Sequence, residues 1–148
     1  MRISVKGRYA IAAVTQIASS STDSENISVN SIAENLGISK IYLEQVFSQL
    51  KKSGILTSAK GPKGGYQLSA SPEAITAWDI LTTLETGLTE KTEETVREEA
   101  PGLESAMHEK VFDPLDEAIK NTLMSINIRQ LIDSVDEQGE SLAFMLNM

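Results

Sequence analysis

Cysteine is absent from the 148 residues, and histidine occurs once, as His108. Without thiols the chain can form no disulfide and can offer no thiolate to zinc or to an iron–sulfur cluster. A single imidazole cannot hold a catalytic metal by itself, so His108 is read as packed or solvated, and no metal or cofactor is expected. No apolar run approaches the roughly 18 residues that cross a bilayer. The opening Met-Arg-Ile-Ser-Val-Lys-Gly-Arg has no apolar stretch before a cleavage site, so no export signal is expected and the cytoplasm is the expected compartment. A nucleophile elbow and a paired acid and base are also missing. Gly61-Pro62-Lys63-Gly64 lacks the Gly-x-x-x-x-Gly-Lys-[Ser/Thr] spacing of a phosphate-binding loop. An enzyme is therefore not expected.

The net charge of −8 argues at first against nucleic acid, but its distribution reverses the argument. Residues 1–70 hold eight Lys and Arg against four Asp and Glu, a net of +4; residues 71–148 hold five against seventeen, a net of −12. A basic working module followed by an acidic region is the pattern of a chain whose first half meets a polyanion.

The informative stretch is Ser39 to Ser53. Leu43, Val46, Phe47 and Leu50 stand at i, i+3, i+4, i+7, a stripe for burial. Lys40, Ile41, Glu44, Gln45 and Ser48 fall on the other side, with Lys51 and Lys52 in the last turn. Ser39 is the expected N-cap and Gly54 the stop. Ahead of it, Ile27 and Val29 could form a very short strand. Ser28 or Asn30 then caps a short helix over Ser31–Leu36, with Ile32, Ala33 and Leu36 inward and Gly37 ending it. Two helices joined by a tight Gly turn predict a helix-turn-helix. After it, a strand over Ile55–Lys60, a turn at 61–64 and a return strand over Gly65–Ser69 predict a wing. Before it, Ser4 caps a first helix to Ser20, with Tyr9, Ala13, Val14, Ile17 and Ala18 apolar. Arg2, Lys6 and Arg8 crowd that helix's positive end, which calls for an outside anion such as phosphate.

Lys-Gly-Arg-Tyr-Ala (6–10), Ser-Ile-Ala-Glu-Asn-Leu-Gly-Ile-Ser (31–39), Tyr-Leu-Glu-Gln (42–45), Leu-Lys-Lys-Ser-Gly (50–54) and Gly-Pro-Lys-Gly-Gly-Tyr (61–66) follow one another in this order. In that order and spacing they resemble the Rrf-two family of bacterial winged-helix transcription regulators. The resemblance is close over residues 1 to about 85. It implies a mainly α fold with a small β-hairpin wing and a long C-terminal dimerisation helix. The implied divisions are a DNA-binding domain at 1–85, an acidic linker at 86–100, and dimerisation helices with a tail at 101–148. It implies a homodimer on double-stranded DNA, reading an inverted repeat as a repressor. In cluster-binding members three cysteines lie in the region of 87–110; none is present here, so cluster chemistry is not carried over. The cysteine-free acidic half is most similar to that of the family's cysteine-metabolism repressor. That likeness implies sulfur-metabolism targets and cysteine synthase (O-acetylserine thiol-lyase) as a partner. Two other readings stand beside it. One is a small-molecule sensor with a pocket near Trp78; the other is a winged helix that binds protein and not DNA.

In this frame Ser39, Lys40, Tyr42, Glu44 and Gln45 are expected on bases or adjacent phosphates. Arg2, Lys6, Arg8, Lys51, Lys60 and Lys63 are expected on phosphates, with Gly64, Gly65 and Tyr66 in the wing. The second half is read more coarsely. Ser71 and Pro72 start a helix that breaks and resumes through Trp78 to about Glu85. Trp78 has nothing basic near it and is read as packing. Residues 87–100 are read as loop or frayed helix. Pro101–Ser125 is a long helix with Val111, Leu115, Ile119 and Leu123 at i+4 steps and Phe112 beside them, the expected dimer face. Pro114 in it either sits at N1 behind Asp113 or kinks it. Asn127 caps a last helix over Ile128–Val135 with Gln130 as capping-box partner, and the apolar tail 142–148 needs a cover.

Overall fold

The computed structural model describes residues 3–20 and 25–147, with side chains 140–144 left aside. Arg2, expected at a phosphate, lies outside the described residues, as do Met148 and the tail side chains of Leu142, Ala143 and Phe144.

Helices α1 (Val5–Ser20), α2 (Val29–Leu36) and α3 (Lys40–Lys52) precede strands β1 (Leu56–Ala59) and β2 (Gly65–Leu68). Then come α4 (Ala77–Leu84), α5 (Pro101–Met107), α6 (Asp113–Met124) and α7 (Ile128–Leu146). The four α3 stripe residues are fully buried, together with Ala10, Ala13, Val14 and Ile17 of α1 and Ile32 of α2. Ser39 caps α3 by accepting the Tyr42 N–H at 3.4 Å. Ser28, not Asn30, caps α2, and that helix starts two residues earlier than expected, so Val29 is helical. Gly37 ends α2 with φ of 66°, a left-handed conformation a Cβ disfavours.

The strands are shorter than expected and pair antiparallel, Leu56 with Leu68 and Ala59 with Gly65. Ile27 contributes only an isolated bridge, exchanging two 2.8 Å hydrogen bonds with Tyr66. This bridge ties the chain before α2 to the wing. A Cβ on Gly65, which has φ of 139°, would stand 2.5 Å from the Ile27 carbonyl oxygen. Gly65 is thus a glycine because another strand of backbone passes there. The Tyr66 ring meets Phe47 edge-on, centroids 4.8 Å apart, so the wing leans on the buried face of α3.

A short 3-10 turn, Pro72–Ala74, leads to α4, whose Thr76 and Asp79 form a reciprocal capping box. Asn127 and Gln130 do the same for α7. The two helix starts lie antiparallel, joined by Ala77 N–H to Ile126 at 2.8 Å and Ile128 N–H to Ile75 at 3.0 Å. Helix α7 runs well past Val135, and its Ile128 and Ile132 belong to the same core as α1–α3. Between α5 and α6, His108–Phe112 forms a π turn. Pro114 lacks an N–H, and its ring collides with the carbonyl four residues back in a regular helix. One widened turn absorbs both faults, so the long helix is continuous but loosened there. Lys120 lies 6.0 Å over the half-buried Trp78 ring; a cation is near it after all, brought by α6 from far along the chain.

Gly65→Ala is expected to break the Ile27–Tyr66 bridge and cost about 2–3 kcal/mol, the scale of a strained backbone position; urea unfolding measures it.

Candidate nucleic-acid interface

Because the α3 stripe is buried, its opposite side is fixed outward. Ile41, Glu44, Gln45 and Ser48, again at i, i+3, i+4, i+7, are all exposed. They form one wall of a cleft of about 440 Å³ to which Lys6 of α1 also contributes. A second cleft, about 410 Å³, opens between the start of α3 and the wing, with Asn30, Lys40, Gly61, Gly64 and Gly65 around it. Glu44 lines both and forms the ridge between them. Lys40 Nζ stands 3.8 Å from Glu44 Oε1, both side chains half exposed. So solvated an ion pair contributes at most about 1 kcal/mol and is readily exchanged for another partner.

Ser39, Lys40, Glu44 and Gln45 thus gather at the exposed N-terminal half of α3. Tyr42 differs: it is half-buried, edge-on to Tyr9 with centroids 5.4 Å apart, because it falls between the two stripes. Lys60 and Lys63 are exposed at the wing tip, and the Lys63 carbonyl accepts from Asn26 at 3.2 Å. Gly64 is held by the turn itself, its N–H donating to Gly61 at 2.9 Å. Lys51, near the far end of α3, lies about 16 Å along the axis from Lys40 at 1.5 Å per residue and does not join that group. Arg8 is exposed on α1. The anion expected at the α1 start is already present inside the chain: Glu85 accepts the Ser4 N–H at 2.7 Å. It lies against Gly7, leaving no room for a Cβ there. Ser28 takes the capping role, so Asn30 is free of it, and its exposed position at the start of α2 puts it in the cleft.

The acidic half holds a feature that composition conceals. Glu104 is fully buried, the one buried charged side chain among the described residues. Its Oε1 accepts the N–H groups of Thr95 at 2.5 Å and Val96 at 2.7 Å. Its Oε2 lies 3.2 Å from His108 Nε2, and the His108 ring sits edge-on to Phe112. Val96 and then Thr95 hold the carboxyl below its ordinary range against the opposing effect of burial, with His108 and Arg97 adding nearby positive charge. Arg97 clasps the same loop to α5 through Ser105 Oγ at 2.8 Å. The only sequence signal was the Glu104–His108 spacing of four.

On α6 no side chain is fully buried. Val111 and Leu115 are 54% and 56% exposed, and Phe112, Ile119 and Leu123 half-buried. Ile3, Ala118, Ile119 and Leu123 border an apolar groove of about 310 Å³.

A helix-turn-helix with an outward stripe on its second helix and a basic-tipped hairpin is the layout of a winged-helix DNA-binding regulator of transcription. The Rrf2 (Rrf-two) profile, described as an iron-dependent transcriptional regulator, matches residues 3–134, and the chain belongs to that family. It is 33% identical over 136 residues to the HTH-type transcriptional regulator IscR of Yersinia enterocolitica, covering 92% of this chain and 82% of that one. The structure of CymR, the global cysteine regulator of B. subtilis, superposes with a TM-score of 0.75 at 32% identity, over 90% of this chain and 98% of that one. The structure of T. potens IscR gives 0.72 at 29% identity, over 93% and 90%.

Iron, named in the family's description, is not matched by this chain's donors. A thiolate-held cluster has no cysteine to hold it, and among the described residues no three His, Asp or Glu gather as a metal set. The loop at Thr95 and Val96 is held by Glu104 through hydrogen bonds.

Glu104 has a lowered folded-state pKa, so its stabilisation is full above the ordinary carboxylate range and is lost as pH falls through the lowered value. Glu104→Gln is expected to speed amide exchange at Thr95 and Val96 about tenfold at pH 7, the scale of a lost charge-assisted hydrogen bond. Its urea midpoint should converge on that of wild type as pH falls through that value.

Proposed function

We propose that the chain is a dimeric repressor that reads an inverted repeat through α3, without a cluster, at genes of cysteine or sulfur metabolism. The observation that carries the DNA reading is the exposed Ile41–Glu44–Gln45–Ser48 stripe, flanked by Lys6 on one side and the wing on the other. Residues 1–85 serve as the reading domain and 101–148 as the dimerisation part, joined through the acidic 86–100 segment. Lys6, Arg8, Lys51, Lys60 and Lys63 contact phosphates, and their released counterions make affinity fall steeply with salt. Lys40, Glu44 and Gln45 face base edges at the N-terminal end of the recognition helix. Glu44 is repelled by every phosphate and by every acceptor, and is satisfied in the groove by a cytosine N4 donor. Its role is to penalise wrong sequences. The uncovered α6 stripe favours a second copy of the chain over a small ligand: the groove is open, and the apolar row continues past it to Val111. A dimer places the two α3 helices on half-sites one helical turn, or a multiple, apart. The sulfur assignment is supported by the likeness to CymR, the global cysteine regulator; cysteine synthase as partner and the cytoplasm as compartment are proposed with it.

Selection of bound sequences from a random DNA pool tests the reading; an inverted repeat is the expected yield. Glu44→Ala is expected to relax sequence preference while leaving nonspecific affinity almost unchanged; equal loss on all sequences in a salt-matched assay would contradict its role. Leu115→Glu, at an exposed site, should leave the monomer folded by circular dichroism. It should shift sedimentation from dimer to monomer and weaken binding to the full repeat by about 100-fold or more, since avidity is lost.

A further inference from the structure

Ile41 is the unexplained member of the reading stripe. It is 71% exposed, against 44% for Val5, the other large apolar side chain left open in residues 3–85. A lone exposed aliphatic is ordinary on a protein surface, but this one has a special place. It heads the row whose other members, Glu44, Gln45 and Ser48, are all polar, and it lies one helical turn from Glu44 toward the helix start. That is where a recognition helix enters the major groove. The core does not need it: the buried stripe is complete without it, and a β-branched residue is no aid to the first turn of a helix. Lys40 and Glu44 pair with each other beside it, so they do not fold over to cover it.

In the major groove the one apolar feature on a natural base-pair edge is the thymine C5 methyl. Residues three apart on a helix have Cβ atoms about 5–6 Å apart, while successive base pairs rise about 3.4 Å. Resting on the DNA reading above, we propose that Ile41 reads a thymine methyl one or two base pairs from the cytosine recognised by Glu44. The pair of side chains then discriminates in complementary ways. Glu44 demands a donor and rejects acceptors, and Ile41 rewards a methyl and leaves a polar edge unpartnered. Against a cytosine edge the aliphatic group would desolvate N4–H without accepting from it.

The test is a base substitution that removes only the methyl. From the sequence selected by the wild-type protein, each thymine near the cytosine is replaced by deoxyuridine, and affinity is read by fluorescence anisotropy at fixed salt. The expected result is about a fourfold loss per half-site at one thymine, the scale of one buried methyl. Ile41→Ser should bind both versions equally, keep its preference for cytosine at the Glu44 position and melt like wild type; Ile41→Val should retain part of the methyl effect. Wild-type indifference to deoxyuridine at every thymine, with a sequence still selected, overturns the Ile41 assignment alone. So does a methyl preference that survives in Ile41→Ser. If no sequence is selected from the pool at all, the DNA reading fails and this inference fails with it.

Discussion

Burial of Leu43, Val46, Phe47 and Leu50 is the constraint from which the rest of the molecule follows. A helix has one rotation about its axis, so fixing that stripe against α1 and α2 also fixes the opposite stripe toward solvent. Losing any of these side chains to alanine would leave a cavity in a fully closed core. Phe47 extends the same constraint to the wing, because Tyr66 rests on its ring. The hairpin is short, and two strands alone are marginal in water; the Ile27 bridge and the Phe47 contact supply what it lacks. Helix α3 and the wing are therefore held together by the Phe47–Tyr66 contact, the Ile27 bridge and the buried Ile55 and Leu56.

Much of this was legible because its determinants are local. Caps, glycine stops and 3.6-residue periodicity are written within a few residues, and α1, α3 and the hairpin follow from them. Asn127 and Gln130, a capping box three residues apart, were legible for the same reason. What escaped depends on residues distant in sequence. The Glu85 carboxylate at the α1 start, Lys120 above Trp78 and the backbone against Gly65 are all brought by later or earlier segments. The start of α2 at Val29 was missed because two caps were chemically equivalent on paper, and only packing decides between them. The length of α7 was missed because its middle stretch, 136–141, is polar and contains Gly139, a poor helix former, while Ile128 and Ile132 anchor its start inside.

The charge division acquires a physical sense from the fold. The described basic residues of the first 70 lie on α1, α3 and the wing, and Glu44 is the one acidic side chain lining the two clefts there. The acidic half contributes Glu85 and Glu104, two carboxylates that each satisfy backbone N–H groups far along or across the chain. Acid in this protein therefore has two uses beyond solubility. One is to satisfy backbone N–H groups, and the other is the use proposed for Glu44, opposing a polyanion. The candidate site itself was legible only as a face; that Tyr42 is half withdrawn from it, and Ile41 fully offered, required the packing.

The antiparallel joint between the starts of α4 and α7 has an evolutionary corollary. Residues 78–125 leave and return at the same point, their ends stapled by two backbone hydrogen bonds. For a loop closed in this way, added length costs little, since closure entropy grows only with the logarithm of chain length. Sequence between Glu85 and the π turn can thus be inserted, deleted or rewritten without moving the helices on which the reading head rests. The fold behaves as a fixed reader with an exchangeable cassette, and in this chain the cassette is clasped by Glu104.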